Sequence, residues 1–265
     1  MRRRLLALAA SWLLAACAVV QAQPAQVVDL PSRPGVTERM LVLQPAEPAA
    51  TVILLTGGHG RVEIRADGTL GRGRGNFLVR SRERFAAQAL ATLVLDGPSD
   101  RADLDGDFRA SPEHMQDLGA AVRWARERFG KPVWLVGTSR GTQSAAAAGI
   151  ALQGEAAPDG IVLSSTILGR SAKARVTVVP VPAMDLAQLK IPVLVVHHAH
   201  DPCPICDPAS LPGLMAKLPA GRAQLLTFAG GDSVGPACEP RSPHGFNGIE
   251  DRVVAAIAAW IKEHR

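Results

Sequence analysis

The sequence predicts an α/β fold, a mostly parallel central sheet with helices on both faces. Two observations carry that prediction: short apolar runs recur along the chain, and amphipathic stretches of helical period separate them. A third bounds the size, since 265 residues, 47% hydrophobic and 20% charged, can bury one full core and fit a single domain.

Buried strands are expected over residues 51–55, 91–95, 132–136, 160–164, 192–197 and 223–228. Between them Leu118, Ala121, Val122, Ala125 and Phe129 recur at helical spacing. Val253, Ile257, Trp260 and Ile261 do the same in a last helix, and both stripes read as core rather than as cofactor sites. Ahead of the first buried strand, residues 27–43 hold Pro31, Ser32, Arg33, Pro34 and Gly35 between two extended runs. That pattern predicts antiparallel strands joined by a turn at the sheet edge. Residues 65–75, rich in Gly and Arg, form the one long irregular loop, of a length often functional or mobile.

The first residues stand apart. Met1, Arg2, Arg3 and Arg4 precede an apolar run over 5–20 that ends in small residues, the pattern of an export signal. The run is shorter than the ~20 apolar residues that span a bilayer. Val20, Gln21 and Ala22 suit simple cleavage, giving a signal over 1–22 and a domain over 23–265. Leu14, Ala15, Ala16 and Cys17 instead resemble a lipoprotein box, with a signal over 1–16 and a lipidated Cys17. The expected location is periplasmic or secreted, with membrane contact only if Cys17 is lipidated. Arg2, Arg3 and Arg4 supply three charges of the formal +5, so nucleic-acid binding gains no support. Arg61, Arg65, Arg72, Arg74, Arg80, Arg82 and Arg84 form a basic stretch that reads first as a solvated rim.

Chemistry concentrates where a strand meets a helix. Gly137, Thr138, Ser139, Arg140 and Gly141 form a G-x-S-x-G run directly after the strand ending at Val136, and an Ala-rich helical stretch over 142–152 follows. Glycines on either side let a serine occupy a strained turn with its hydroxyl exposed. A serine hydroxyl is a weak nucleophile at neutral pH, so it needs a histidine to take its proton and a carboxylate to orient that histidine. His244, in a loop before the last helix, is the candidate base, and His264 lies too near the chain end. Asp201, just after the strand over 192–197, is the candidate acid, and Asp232 is its residual rival. The order Ser, Asp, His is the one such strand–turn–helix sites use.

Charge developing on a carbonyl oxygen must meet N–H donors already in place. Thr56, Gly57, Gly58, His59 and Gly60 follow the first buried strand and supply a suitable loop. The expected donors are the N–H groups of Arg140 and Gly58, with His59 as the alternative.

On these residues the chain resembles the α/β-hydrolase superfamily, from the edge strands to the last helix. The resemblance implies an α/β-hydrolase fold with no large lid domain, since only about twenty residues separate Leu168 from Ile191. It implies hydrolysis through an acyl-enzyme, with carboxylic esters the commonest substrates and peptides, lactones or thioesters also in range. The partner implied is a small-molecule acyl substrate, with no metal or organic cofactor.

Other polar residues have their own readings. Cys203, Pro204, Ile205 and Cys206 make a C-x-x-C run that, alone, suits a thiol oxidoreductase. A Cys203–Cys238 disulfide is favoured because it would tie the loops of Asp201 and His244 together, and Cys206 with Cys238 is the alternative. His197, His198, His200, Cys203 and Cys206 crowd into ten residues and suggest a zinc site. Adjacent strand positions facing opposite ways argue against it. A third alternative is a non-catalytic binding module, since fold does not establish function. Asp96 and Asp100 stand where ligands bind in open α/β sheets, or simply form a turn. Arg140 and Arg80 are candidates to contact an anionic substrate group.

Overall fold

The structure is a computed structural model and describes residues 24–170 and 178–265; the export signal and Cys17 lie outside the described residues. Eight strands form one sheet: β1 (Gln26–Arg33), β2 (Val36–Leu43), β3 (Ala50–Leu55), β4 (Leu90–Leu95), β5 (Val133–Thr138), β6 (Gly160–Ser164), β7 (Val193–His198) and β8 (Ala223–Phe228). Their spatial order is β1-β2-β4-β3-β5-β6-β7-β8. β1, β2 and β4 pair antiparallel and all other neighbours pair parallel. The helices are α1 (Phe77–Arg80), α2 (Arg82–Ala87), α3 (Gly106–Arg109), α4 (Pro112–Phe129), α5 (Gly141–Ala151), α6 (Leu211–Met215) and α7 (Glu250–Glu263).

The alternation of side chains along each strand divides the core in two. Ile53, Leu93, Leu135 and Val195 pack with Leu118, Ala121 and Ala145 of α4 and α5 on one face. Val52, Leu54, Val136 and Leu194 pack with Phe77, Phe85, Ile257 and Trp260 of α1, α2 and α7 on the other. Strands β3 to β7 are buried along their whole length, which is why they read as continuous apolar runs. β8 departs from that expectation: Gln224 and Thr227 are exposed, because β8 closes the sheet and has no neighbour beyond it.

The edge hairpin is tighter than the sequence suggested. Pro31, Ser32 and Arg33 stay in β1, with the register shifting between Pro31 and Arg33, and only Pro34 and Gly35 turn the chain. An edge strand tolerates that proline because one side of its backbone needs no partner. α4 begins at Ser111, whose hydroxyl accepts from the His114 N–H, and ends at Gly130 in the left-handed region. Between β6 and β7 the described residues contain only two short turns, Val181–Ala183 and Leu186–Gln188, and no lid. No helix among the described residues is long and apolar enough to cross a membrane.

Candidate active site

Every candidate residue sits where a parallel strand ends in its carboxyl direction: 56–60 after β3, Ser139 after β5, Asp201 after β7 and His244 after β8. That edge of the sheet is where a parallel architecture leaves room for ligands.

Ser139 adopts φ +52°, in the left-handed region that costs a residue with a side chain. Three glycines make the turn possible. A Cβ on Gly137 would lie 2.4 Å from the Gly141 oxygen, and one on Gly141 would lie 2.1 Å from the Leu55 oxygen. One on Gly57 would meet the Ser139 Cβ at 2.8 Å. The Ser139 N–H donates to Ser164 O at 2.9 Å, and the Thr142 hydroxyl donates to Ser139 O at 2.6 Å. Ser139 lines a cavity of about 380 Å³ together with Gly58, His59, Asn76, Phe77 and His244.

Asp201 and His244 are brought together. The Nδ1–H of His244 donates to Asp201 Oδ2 at 2.9 Å, and the Cys203 N–H donates to Asp201 Oδ1 at 2.9 Å. A carboxylate only accepts, so the imidazole proton belongs on Nδ1 and Nε2 carries a lone pair. Nε2 is buried and has no hydrogen-bond partner among the described residues. The main chain of His244 is fixed from both sides: Ser165 Oγ donates to its carbonyl at 2.6 Å, and its N–H donates to Ser242 Oγ at 3.2 Å. Ser139 Oγ is not hydrogen-bonded to Nε2 in this geometry; such contacts are often long without substrate and tighten when it binds. The rivals stand elsewhere, Asp232 exposed beside Gly248 and His264 stacked on Trp260.

The loop over 56–60 is built by its own hydrogen bonds. Gly60 N–H donates to Gly57 O at 3.1 Å and Thr56 Oγ1 donates to Gly60 O at 3.0 Å. Among the described residues the N–H groups of Gly58, His59 and Arg140 reach no acceptor, so all three are free to donate to a ligand. The irregular loop over 65–75 is anchored at its start rather than loose. Asp96 accepts from the N–H groups of Val62 and Ile64 at 2.8 Å each, and Gly73 and Gly75 form part of the cavity wall.

Two arginines are less available than the sequence suggested. Arg140 donates to Leu104 O, and burial lowers its pKa. Arg80 bonds Glu250 and donates to Gly75 O and Gly245 O, binding the loop over 65–75 to the His244 loop. Asp100 pairs with Arg33 at 3.0 Å, so it and Asp96 serve the framework. Much of the arginine rim is paired too, Arg72 with Glu63 and Arg84 with Asp251.

Cys203 and Cys238 form a disulfide. Cys206 is a free, buried thiol, and desolvation followed by the nearby Asp201 pushes its pKa well up. The histidine-rich run does not converge on the cysteines as a set. His197 Nε2 donates to Cys206 O at 2.8 Å, His198 Nε2 donates to Gly230 O at 2.9 Å, and His200 is exposed. Burial lowers the pKa of His197. Of these cysteines, Cys203 and Cys206 lie within 4.8 Å of His244, and the first is already committed to its bridge; a second set, Glu38, His114 and Asp117, lies apart from the histidine run.

Sequence reasoning missed Ser165 and Ser242, which hold His244, and Arg109, wholly buried behind the loop over 56–60. A lone hydroxyl in a loop, or a single arginine ending a one-turn helix, carries no periodic signal, so nothing along the chain marked them.

This eight-strand sheet, with a serine elbow after β5 and no lid among the described residues, is the α/β-hydrolase fold. No protein-family profile matches the chain, and no curated protein matches it in sequence. Solved structures match it in shape. A dienelactone hydrolase from Anabaena variabilis superposes with a TM-score of 0.61 at 16% identity, covering 92% of this chain and 96% of that one. An α/β serine hydrolase without lid from Xanthomonas campestris gives 0.57 at 18% identity, over 88% and 94%. A cold-adapted esterase from an Arctic intertidal metagenomic library gives 0.56 at 17%, over 91% and 92%.

Proposed function

We propose that this chain is a serine hydrolase that cleaves a carboxylic ester or related acyl bond through an acyl-enzyme on Ser139. One observation carries the reading: His244 is oriented by Asp201 at 2.9 Å, its Nε2 has no hydrogen-bond partner among the described residues, and it lines the same cavity as Ser139. In this scheme Nε2 takes the serine proton as Oγ attacks the acyl carbon, and the Asp201 carboxylate stabilises the imidazolium that forms. The N–H groups of Arg140 and Gly58, or His59 in place of Gly58, receive the negative charge on the carbonyl oxygen. His244 then returns the proton to the leaving alcohol, and a water activated the same way releases the acid. The serine hydrolase and esterase among the structural neighbours favour this chemistry over a binding module.

The cavity is small, and its wall mixes the polar groups of Thr56, His59, Asn76 and Glu239 with Phe77 and Pro240. A short, water-soluble acyl substrate suits it better than a lipid chain. The arginine-led apolar leader and the Cys203–Cys238 bridge support export to an oxidising compartment, periplasmic or extracellular. Lipidation at Cys17 would place the same domain on a membrane surface.

Hydrolysis of p-nitrophenyl acetate tests the reading. Ser139→Ala and His244→Ala should each lower kcat by ~10⁴-fold or more while leaving the fold intact. Wild-type turnover in Ser139→Ala would overturn it.

A further inference from the structure

Behind the loop over 56–60, on the side away from solvent, lies Arg109, the last residue of α3. It is 1% exposed, and no carboxylate among the described residues forms an ion pair with it. A buried guanidinium without an acid is costly, and desolvation followed by the charge of Arg140 lowers its pKa to about 9. Its donors are spent on one region. Nη2 reaches Thr56 O at 3.2 Å and Gly58 O at 3.4 Å, Nη1 donates to Ser144 Oγ at 3.0 Å, and Nε donates to Leu104 O at 3.1 Å. Ser144 lies on α5, the helix that starts beside Ser139, and its hydroxyl meets His114 Nε2 at 2.9 Å. Gly60 allows the approach, since a Cβ there would lie 2.8 Å from Arg109 Nη2.

The consequence follows from peptide geometry. Three consecutive carbonyls are taken: Thr56 O and Gly58 O by Arg109, and Gly57 O by the Gly60 N–H. In a trans peptide the N–H points opposite to its carbonyl. Holding the carbonyls therefore fixes the directions of the Gly57, Gly58 and His59 N–H groups. The same guanidinium grips the nucleophile's helix through Ser144, so loop and elbow share one brace.

We infer that Arg109 is a positioning residue that presets the oxyanion loop over 56–60 relative to Ser139. The inference rests on the serine-hydrolase reading above. A preset donor acts on the transition state rather than on the bound ester, so loss of the brace reads out in kcat. Lysine keeps the charge but offers one point of contact in place of a planar fork.

The test compares wild type, Arg109→Lys and Arg109→Ala on p-nitrophenyl acetate, with thermal melting of each and the rate of inactivation by a fluorophosphonate. Arg109→Lys is expected to lose ~10²-fold in kcat with KM nearly unchanged, the scale of an ångström-sized misplacement. Its inactivation rate should fall in step, since phosphonylation also builds charge on the oxygen facing the loop. Millimolar guanidinium chloride should restore part of the activity of Arg109→Ala where equal sodium chloride does not. A folded Arg109→Lys with wild-type kcat overturns the inference, as does a loss in both variants that tracks the unfolded fraction and resists guanidinium. If wild type itself neither turns over the ester nor reacts with the fluorophosphonate, the hydrolase reading falls first.

Discussion

Gly141 shows how little freedom the elbow has. A methyl group there would sit 2.1 Å from the Leu55 oxygen, a main-chain atom that cannot swing aside. Gly141→Ala should therefore destabilise by ~3 kcal/mol or more, read from urea denaturation, and abolish labelling of Ser139 in whatever folds. Glu38 makes a different point. It is fully buried on β2, and neither carboxylate oxygen has a partner among the described residues. Burial first, then Asp117 and Asp96, raise its pKa well above the carboxylate range, while Arg33 and Arg61 oppose them. The group stays protonated in the fold and ionises more readily once unfolded. Its contribution is complete below the unfolded carboxylate pKa and is lost as pH rises towards the raised value. Glu38→Gln cannot ionise, so its stability advantage over wild type should grow from pH 5 to pH 8 in parallel denaturation curves; a gap independent of pH would contradict this. Glu38 was open to reading from sequence, since it shares the strand face of Val36 and Met40. Arg109 was not, because only the folded chain brings α3 against the loop after β3.

At the scale of elements, the strand–elbow–helix unit was legible because its signal is local: a buried strand, two glycines and an alanine-rich helix follow one another without a gap. β6 and β8 fall on the residues that apolar runs predicted, and β3, β4, β5 and β7 differ at their ends by one or two residues. What hydropathy missed at β8 was its place, since an edge strand and a central one differ by a neighbour and not by a local pattern. The loops that carry Asp201 and His244 are joined by Cys203–Cys238, across a sequence separation of 35. The pairing rested on where those loops had to meet, which the site order suggested and spacing alone left open. Replacing both cysteines by alanine should cost ~2–4 kcal/mol in chemical denaturation. The labelling rate of Ser139 should also fall, because the His244 loop loses its tether to the Asp201 loop. Unchanged stability and labelling would show that the bridge does not support the site.

Over the whole molecule, the sheet gathers four loop ends along one edge, and between β6 and β7 the described residues form no helical layer over that edge. With no lid among the described residues, the proposed reaction needs no lid opening for a substrate to reach Ser139. Short p-nitrophenyl esters should accordingly have a higher kcat/KM than long-chain ones, with no jump in rate when an ester passes its solubility limit. A strong preference for long chains would place the acyl group somewhere other than the cavity of about 380 Å³ beside Ser139. The molecule's fold class was readable from periodicity and one motif, and the Cys203–Cys238 tether from the order of the site, whereas Ser165 and Arg109 were not, because they meet partners far away in sequence. The most direct measurement is mass spectrometry of the intact protein after exposure to a fluorophosphonate, with Ser139→Ala and His244→Ala alongside. The account predicts one adduct, mapped to Ser139 and lost in both variants; an unmodified wild type, or an adduct that survives Ser139→Ala, would contradict it.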